Sequence, residues 1–332
     1  MAHSHRVRGL LYMKTWNNYW LGVGLAALYI LIASAQSVAL NTWLYGVNVF
    51  LVVGLCFTIA TVVFGLIGVI WQRSAYKVIL KQWRPLFALN LVTLGNWLLY
   101  FFAVKFLEPS VAVTLTQGAG PVSMTLFTLL NREPVSWVTR ICHGIICAAA
   151  VAMCIYVVLY RGDHTPYSRA DTLLGIVLAT ACGVSITATL ILSKRFAIGK
   201  VPAVTVLSVR FPLLILVCLM VLSVQQDIEL TQNTFLITLL IALIGICAST
   251  YFLQKGVELA PPIAISTMLA LSPLVVFAMQ FSQGRAPFSL PILSFIMIIT
   301  LVSIISILYE AQQIAGGGVA NLTLASRRTQ TK

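Results

Sequence analysis

The sequence predicts an all-α integral membrane protein: ten transmembrane helices arranged as two inverted five-helix repeats. Three observations predict it. Apolar residues fill 60% of the 332 positions and charged residues only 9%, with mean hydropathy +0.97, whereas a soluble domain is about a quarter charged. Apolar segments of bilayer-crossing length recur ten times between short polar joints. Stretches of the first half return in the second at offsets of 150 to 153 residues.

A helix crosses the hydrocarbon core with about 20 mostly apolar residues. In chain order the segments lie at 20–40, 47–71, 86–106, 110–130, 138–160, 172–193, 202–223, 234–254, 262–281 and 290–310. The joints carry breakers such as Arg84-Pro85, Glu133-Pro134, Pro166 and Pro287. The chain therefore divides into an N-terminal cytoplasmic segment (1–19), a first repeat (20–160), a second repeat (172–310) and a cytoplasmic tail (311–332). The opening MAHSHRVRGLLYMKTWNN is too polar for a signal peptide.

Basic residues set the orientation, because cytoplasmic loops accumulate lysine and arginine. With the N-terminus inside, sixteen of them fall on the cytoplasmic side, including Arg73, Lys77, Lys81 and Arg84. Four fall outside: Lys105, Arg161, Arg169 and Arg285. Both termini are thus expected in the cytoplasm. Trp43, Trp71, Trp83 and Trp137 sit at proposed interfaces, where indole rings concentrate. The net charge of +13 reflects this distribution, with its basic residues at segment ends rather than along one face, and nucleic acid is not an expected partner.

Seven cysteines lie in apolar segments without a CxxC pair or a Cys/His cluster of metal spacing. They read as small buried or lipid-facing residues. The histidines have no neighbouring acid within a span, so no catalytic constellation is apparent. The chain is not expected to be an enzyme, and no cofactor or metal is implied.

The repeat is clearest in two proline-bracketed stretches, PSVAVTLTQGAGP (109–121) and PPIAISTMLALSP (261–273). Each follows a Lys-x-x-Glu, at Lys105/Glu108 and Lys255/Glu258. Further upstream, WLGVGLAAL (20–28) is similar to LLGIVLATA (173–181). Five helices per copy is an odd number, so the second copy enters the bilayer from the opposite side. Inverted repeats of this kind hold their substrate near the midplane, between the halves.

The ten spans, the two five-helix repeats, Glu133 after span 4 and the VRF at 209–211 resemble the drug/metabolite transporter superfamily, EamA type, over residues 18–312. The resemblance implies alternating access by a carrier in the cell membrane, of the bacterial inner-membrane kind, with spans 5 and 10 at the periphery. The family often has a second glutamate after the ninth span. Here QGRAP places Arg285 there.

Candidate residues follow from polarity inside spans. Proline in a helix interior leaves the carbonyl four residues earlier without its donor, so Pro121 frees Gln117 and Pro273 frees Leu269. Gly118, Gly120 and Ser272 are small enough for close approach beside these kinks. The kinks serve either a flexing substrate path or static packing of bent helices. Asn90, Thr93, Asn96, Trp97 and Tyr100 recur at spacings of three and four in span 3, which places them on one helix side. They bind a polar metabolite or bond between helices. At an offset of 150, the position matching Asn96 is Ile246. Arg210 is the one charged residue well inside a span, about 12 Å deep from Pro202 at 1.5 Å per residue. It holds a substrate anion or, as the resemblance implies, snorkels to the surface. Thr114, Gln117, Ser185, Ser249, Tyr251, Ser266 and Thr267 complete the substrate-binding set. His143 reads as structural.

The expected function is secondary transport of a small polar or amphiphilic metabolite, such as an amino-acid-like compound or a drug, with export favoured over import or exchange. A channel or non-transporting scaffold is the alternative from another class. The partners are the small molecule and the bilayer, with a homodimer allowed. No Asp or Glu falls inside a span, so coupling is absent, is exchange, or uses Glu108 or Glu310 near a rim.

Overall fold

The computed structural model describes residues 2–44, 47–132, 135–160, 168–225, 231–284, 289–306, 308–309 and 312, without the side chains of 2–16, 42 and 263. Among them there is no strand. The helices of the first half are α1 (Ala2–Trp43), α2 (Val49–Trp71), α3 (Arg73–Lys81), α4 (Trp83–Phe106), α5 (Pro109–Leu130) and α6 (Trp137–Tyr160). Next come α7 (Arg169–Ile198), α8 (Ala203–Val209), α9 (Pro212–Val224) and α10 (Gln232–Leu240). A π-helical segment (Ile241–Ala248) leads into α11 (Ser249–Leu259), followed by α12 (Pro262–Leu269) and α13 (Ser272–Ser282). The last is α14 (Leu290–Ser306).

Among the described residues, eight helical stretches are long and apolar enough to cross a membrane: Asn17–Asn41, Val49–Trp71, Trp83–Phe106, Trp137–Tyr160, Arg169–Ile198, Ala203–Val224, Gln232–Leu259 and Ala264–Ser282. Ten were expected. The two that fall short do so for different reasons. α5 is long enough but carries Thr114, Thr116, Gln117 and Pro121. α14 is apolar but spans only Leu290–Ser306 among the described residues. The outer faces are apolar, as at Leu66 (61% exposed), Ile70 (64%) and Val177 (63%). In water such a surface would associate. The protein is an all-α, multi-pass membrane protein.

Local chemistry sets the helix ends. The Asn48 carboxamide oxygen accepts from the Phe50 and Leu51 amides at 3.0 and 3.3 Å and opens α2. Ser168 and Asp171 form a capping box on α7. Prolines stand in the first turn of α5, α9, α12 and α13, where the missing amide hydrogen is not needed. The basic joint after span 2 forms the short helix α3. It buries Ile79 and leaves Arg73, Lys77 and Lys81 outward. The Lys-x-x-Glu of the second half is an ion pair, Lys255 to Glu258 at 2.9 Å.

The most extensive helix packing joins the two halves of the chain: α4 on α7, α5 on α7, α1 on α11, and α2 on α8 and α9. Glycines permit the closest of these approaches. A Cβ at Gly22 of α1 would stand 2.8 Å from the Ala260 methyl, and one at Gly175 of α7 would stand 2.6 Å from Leu107 Cγ. These two contacts are related by a shift of 153 positions at both partners.

Two spans are broken at proline. Pro212 separates α8 from α9, and Pro273 separates α12 from α13. The Leu269 carbonyl that Pro273 cannot reach accepts instead from the Ser272 hydroxyl at 2.7 Å. α5, by contrast, runs unbroken through Pro121. The two prolines, equivalent in the sequence, have different structural consequences.

Candidate functional site

A cavity walled by both polar and apolar side chains lies where the two halves of the chain meet. α1 contributes Tyr29, Ala33, Ser34, Gln36 and Ser37, and α4 contributes Asn96, Trp97 and Tyr100. Val113 and Gln117 come from α5, and Ile186, Thr189 and Leu190 from α7. Arg210 enters from the α8–α9 break. Ser249, Thr250 and Leu253 of α11, with Ser272 and Val276 of α13, close the wall. The space open to water centres is about 50 Å³, room for about four waters at ~10–15 Å³ each.

Twelve of these residues form six pairs separated by 153 positions: Ala33/Ile186, Gln36/Thr189, Ser37/Leu190, Asn96/Ser249, Trp97/Thr250 and Tyr100/Leu253. The register pairs Asn96 with Ser249 rather than with Ile246, which is fully buried in the apolar core. Positions repeat while chemistry does so only in part: Ala33/Ile186, Gln36/Thr189 and Asn96/Ser249 keep their polarity and the other three pairs do not. The first member of each pair is polar or aromatic in every case but Ala33.

Arg210 dominates the electrostatics. It is 4% exposed, so it does not snorkel. Its Nη1 donates to Gln254 Oε1 at 3.3 Å, and its guanidinium lies 5.3 Å from the Phe211 ring centroid, within cation–π range. No carboxylate among the described residues pairs with it. Removing an ion from water costs several kcal/mol even after relaxation, and one amide and one ring face offset only part of that.

Below the guanidinium lies an aromatic shelf. Phe57 packs 4.7 Å from Trp97 and 4.9 Å from Phe211 between ring centroids. Trp97 meets Tyr100 edge-on at 6.3 Å. The Tyr100 hydroxyl bonds to Ser37, which ties α4 to α1. Cys182 of α7 donates to the Asn96 backbone and side-chain oxygens at 3.2 and 3.5 Å. On the second half, Ser249 donates back to Gly245 and Ile246, across the π-helical segment. Such segments often mark functional sites.

Of the expected binding residues, Asn96, Trp97, Tyr100, Gln117, Arg210 and Ser249 line the cavity, with Ser272 from the hinge set. The others do not. Asn90 stitches the α8–α9 break: its Nδ2 donates to Val209 at 2.9 Å and to Leu86 at 3.1 Å, and its Oδ1 accepts from the Leu213 amide at 3.4 Å. Thr93 is fully buried away from the cavity. Thr114 and Ser185 donate to their own helices, at Ser110 and Ala181, as membrane hydroxyls often do. Tyr251 packs with Phe252 and the main apolar cluster. Ser266 and Thr267 are buried between helices.

Gly118 faces Ala150 and Ile146 of α6 with ordinary spacing. Gly120 faces Ser266 closely, at 3.1 Å from a notional Cβ. Its carbonyl accepts from Thr187 at 3.0 Å. These contacts set Gly118 and Gly120 against neighbouring helices, and α5 runs unbroken through Pro121. Pro273 opens α13 and is buried. His143 bonds to Thr125 within the helix packing. Glu133, Arg285 and Glu310 lie outside the described residues. No cluster of three metal-ligating side chains occurs among the described ones.

The contribution of α1 escaped the sequence reading. The signal was present: Ser34, Gln36 and Ser37 place an amide and two hydroxyls inside an apolar span, where an amide is costly unless it faces protein or a cavity.

Fold and cavity together define a multi-pass helical membrane protein with a cavity lined by the buried guanidinium of Arg210. No family model matches the chain, and no curated protein matches it. A solved structure described only as "Crystal structure of protein" has a similar fold, with TM-score 0.64 and 18% identity over 88% of this chain and 98% of the other.

Proposed function

We propose that the chain is a secondary transporter that moves a small polar or amphiphilic metabolite across the membrane by alternating access, with export the favoured direction. It is read as a ten-helix carrier of the drug/metabolite transporter kind, in which α5 and α14 supply the two further spans. The observation that carries the reading is the pairing of cavity residues at 153 positions. A site built from matching positions of two halves is what an inverted-repeat carrier places at its midplane. The cross-half helix packing supports it, as do the matched glycine contacts. The divergence within the pairs suits an asymmetric ligand.

The test is comparative mass spectrometry of spent medium and cell extract from cells lacking the protein, producing it, or producing Asn96→Ala. A compound that accumulates outside only with the intact protein supports export. Depletion from the medium with accumulation inside indicates import or exchange. Non-saturating flux in proteoliposomes would identify a channel instead.

A further inference from the structure

Four buried polar atoms, each carried by a residue that lines the cavity, have no protein partner: Ser34 Oγ, Gln36 Nε2, Trp97 Nε1 and Arg210 Nε. Their residues are 1%, 8%, 8% and 4% exposed. The Trp97, Arg210 and Gln36 nitrogens can only donate, and the Ser34 hydroxyl is free to do so. Buried donors without acceptors are rare and call for a reason. Here the four residues that carry them, from α1, α4 and the α8–α9 break, all line one small space. Arg210 is the only charged residue among the lining residues.

We propose that this cavity binds a small monocarboxylate anion, with its carboxylate on Arg210 and the indole, amide and hydroxyl donors completing the acceptor shell. The proposal rests on the cavity being the substrate site of the carrier reading above. Charge balance selects the class. One carboxylate neutralises one guanidinium and offers about four lone-pair sites to the donors. A zwitterion brings an ammonium for which the lining provides no carboxylate, so the site keeps an uncompensated positive charge. A phosphate monoester carries close to two negative charges and leaves the site net negative. Either excess is costly in a low-dielectric interior. Gln254 accepts from Nη1, while Nε of the same guanidinium has no protein partner.

Four probes of similar size separate the possibilities: lactate, lactamide, alanine and glycerol 3-phosphate. The full chain, purified in detergent, is titrated with each, and binding is read from thermal stabilisation. Lactate is expected to bind at least tenfold more tightly than the other three. Arg210→Gln should weaken lactate at least tenfold and leave lactamide unchanged. If that variant does not fold, Trp97→Phe keeps the ring, removes the donor and should weaken lactate about threefold. Equal binding of lactamide or alanine, tighter binding of glycerol 3-phosphate, no response to any probe, or unaltered lactate binding by the variants would each overturn the proposal. Proteoliposome flux is measured separately. Lactate binding without saturable flux sinks the carrier reading alone. Saturable flux of a neutral solute without lactate binding sinks the monocarboxylate assignment alone.

Discussion

Asn41 and Lys194, 153 positions apart, close two helix ends in the same way. Asn41 Nδ2 donates to the Val104 and Leu107 carbonyls at 2.9 and 3.5 Å, at the end of α4. Lys194 Nζ donates to the Val257, Glu258 and Ala260 carbonyls at 3.0, 3.1 and 3.0 Å, at the end of α11. The carbonyls also match at 153 positions, Val104 with Val257 and Leu107 with Ala260. Each side chain supplies donors that a helix C-terminus lacks, and the lysine adds a favourable charge against the helix dipole. Lys194→Met should lower stability by about 1–3 kcal/mol, measured by denaturation in mixed micelles. Lys194→Asn should recover part of the loss. An unchanged midpoint in Lys194→Met would show that the cap contributes nothing.

Asn90 should behave as a structural residue. Asn90→Leu leaves the Val209 carbonyl and the Leu213 amide without their bonds at the α8–α9 break. The expected cost is about 1–3 kcal/mol per unsatisfied buried group, visible as a lower thermal midpoint. Substrate affinity of the folded fraction should stay within about twofold. A large affinity loss at unchanged stability would return Asn90 to the binding set.

Two glycines make a paired test of α5–α7 and α1 packing. A Cβ at Gly183 would press on the Thr116 carbonyl and stand 2.7 Å from the Ala119 methyl, whereas one at Gly24 meets nothing within 4 Å. Gly183→Ala should force α5 from α7 and destabilise by about 1–3 kcal/mol. Gly24→Ala should be neutral or stabilising by up to about 1 kcal/mol, since alanine is the better helix former. Equal midpoints for the two variants would contradict the packing.

Asn48 Nδ2 donates to Gln225 Oε1 at 2.6 Å, so the start of α2 and the end of α9 share one end of the bundle. The orientation expected from the lysine and arginine bias, with the N-terminus cytoplasmic, would put that end outside. Cysteine introduced singly at Asn48 or Gln225, in a background lacking the seven native cysteines, should react with a membrane-impermeant maleimide added to intact cells. Labelling of both only after lysis reverses the orientation. Labelling of one from each side contradicts the hydrogen bond.

The sequence determined that this chain lives in a membrane, where most of its helices cross and which polar residues stand inside them. Those properties are local: a segment of about 20 apolar residues partitions by its own composition, and caps and prolines mark its ends. The two similar proline-bracketed stretches were legible there as well.

Tertiary structure alone decided which inward polar residues face the cavity. Spacing put Asn90 and Asn96 on one side of span 3. Yet at 100° per residue six positions amount to about 120° of rotation, with about 9 Å of rise. That is enough to send Asn90 to the broken α8–α9 backbone and Asn96 to the cavity. The same holds for the prolines. Pro121 and Pro273 look alike until neighbours are present, and then only Pro273 separates two helices. The donors of α1 became meaningful only when folding brought them beside Arg210, some 170 residues away. Hydropathy specifies a segment's solvent, while the partner of a buried donor depends on which helices meet, and that depends on the whole chain.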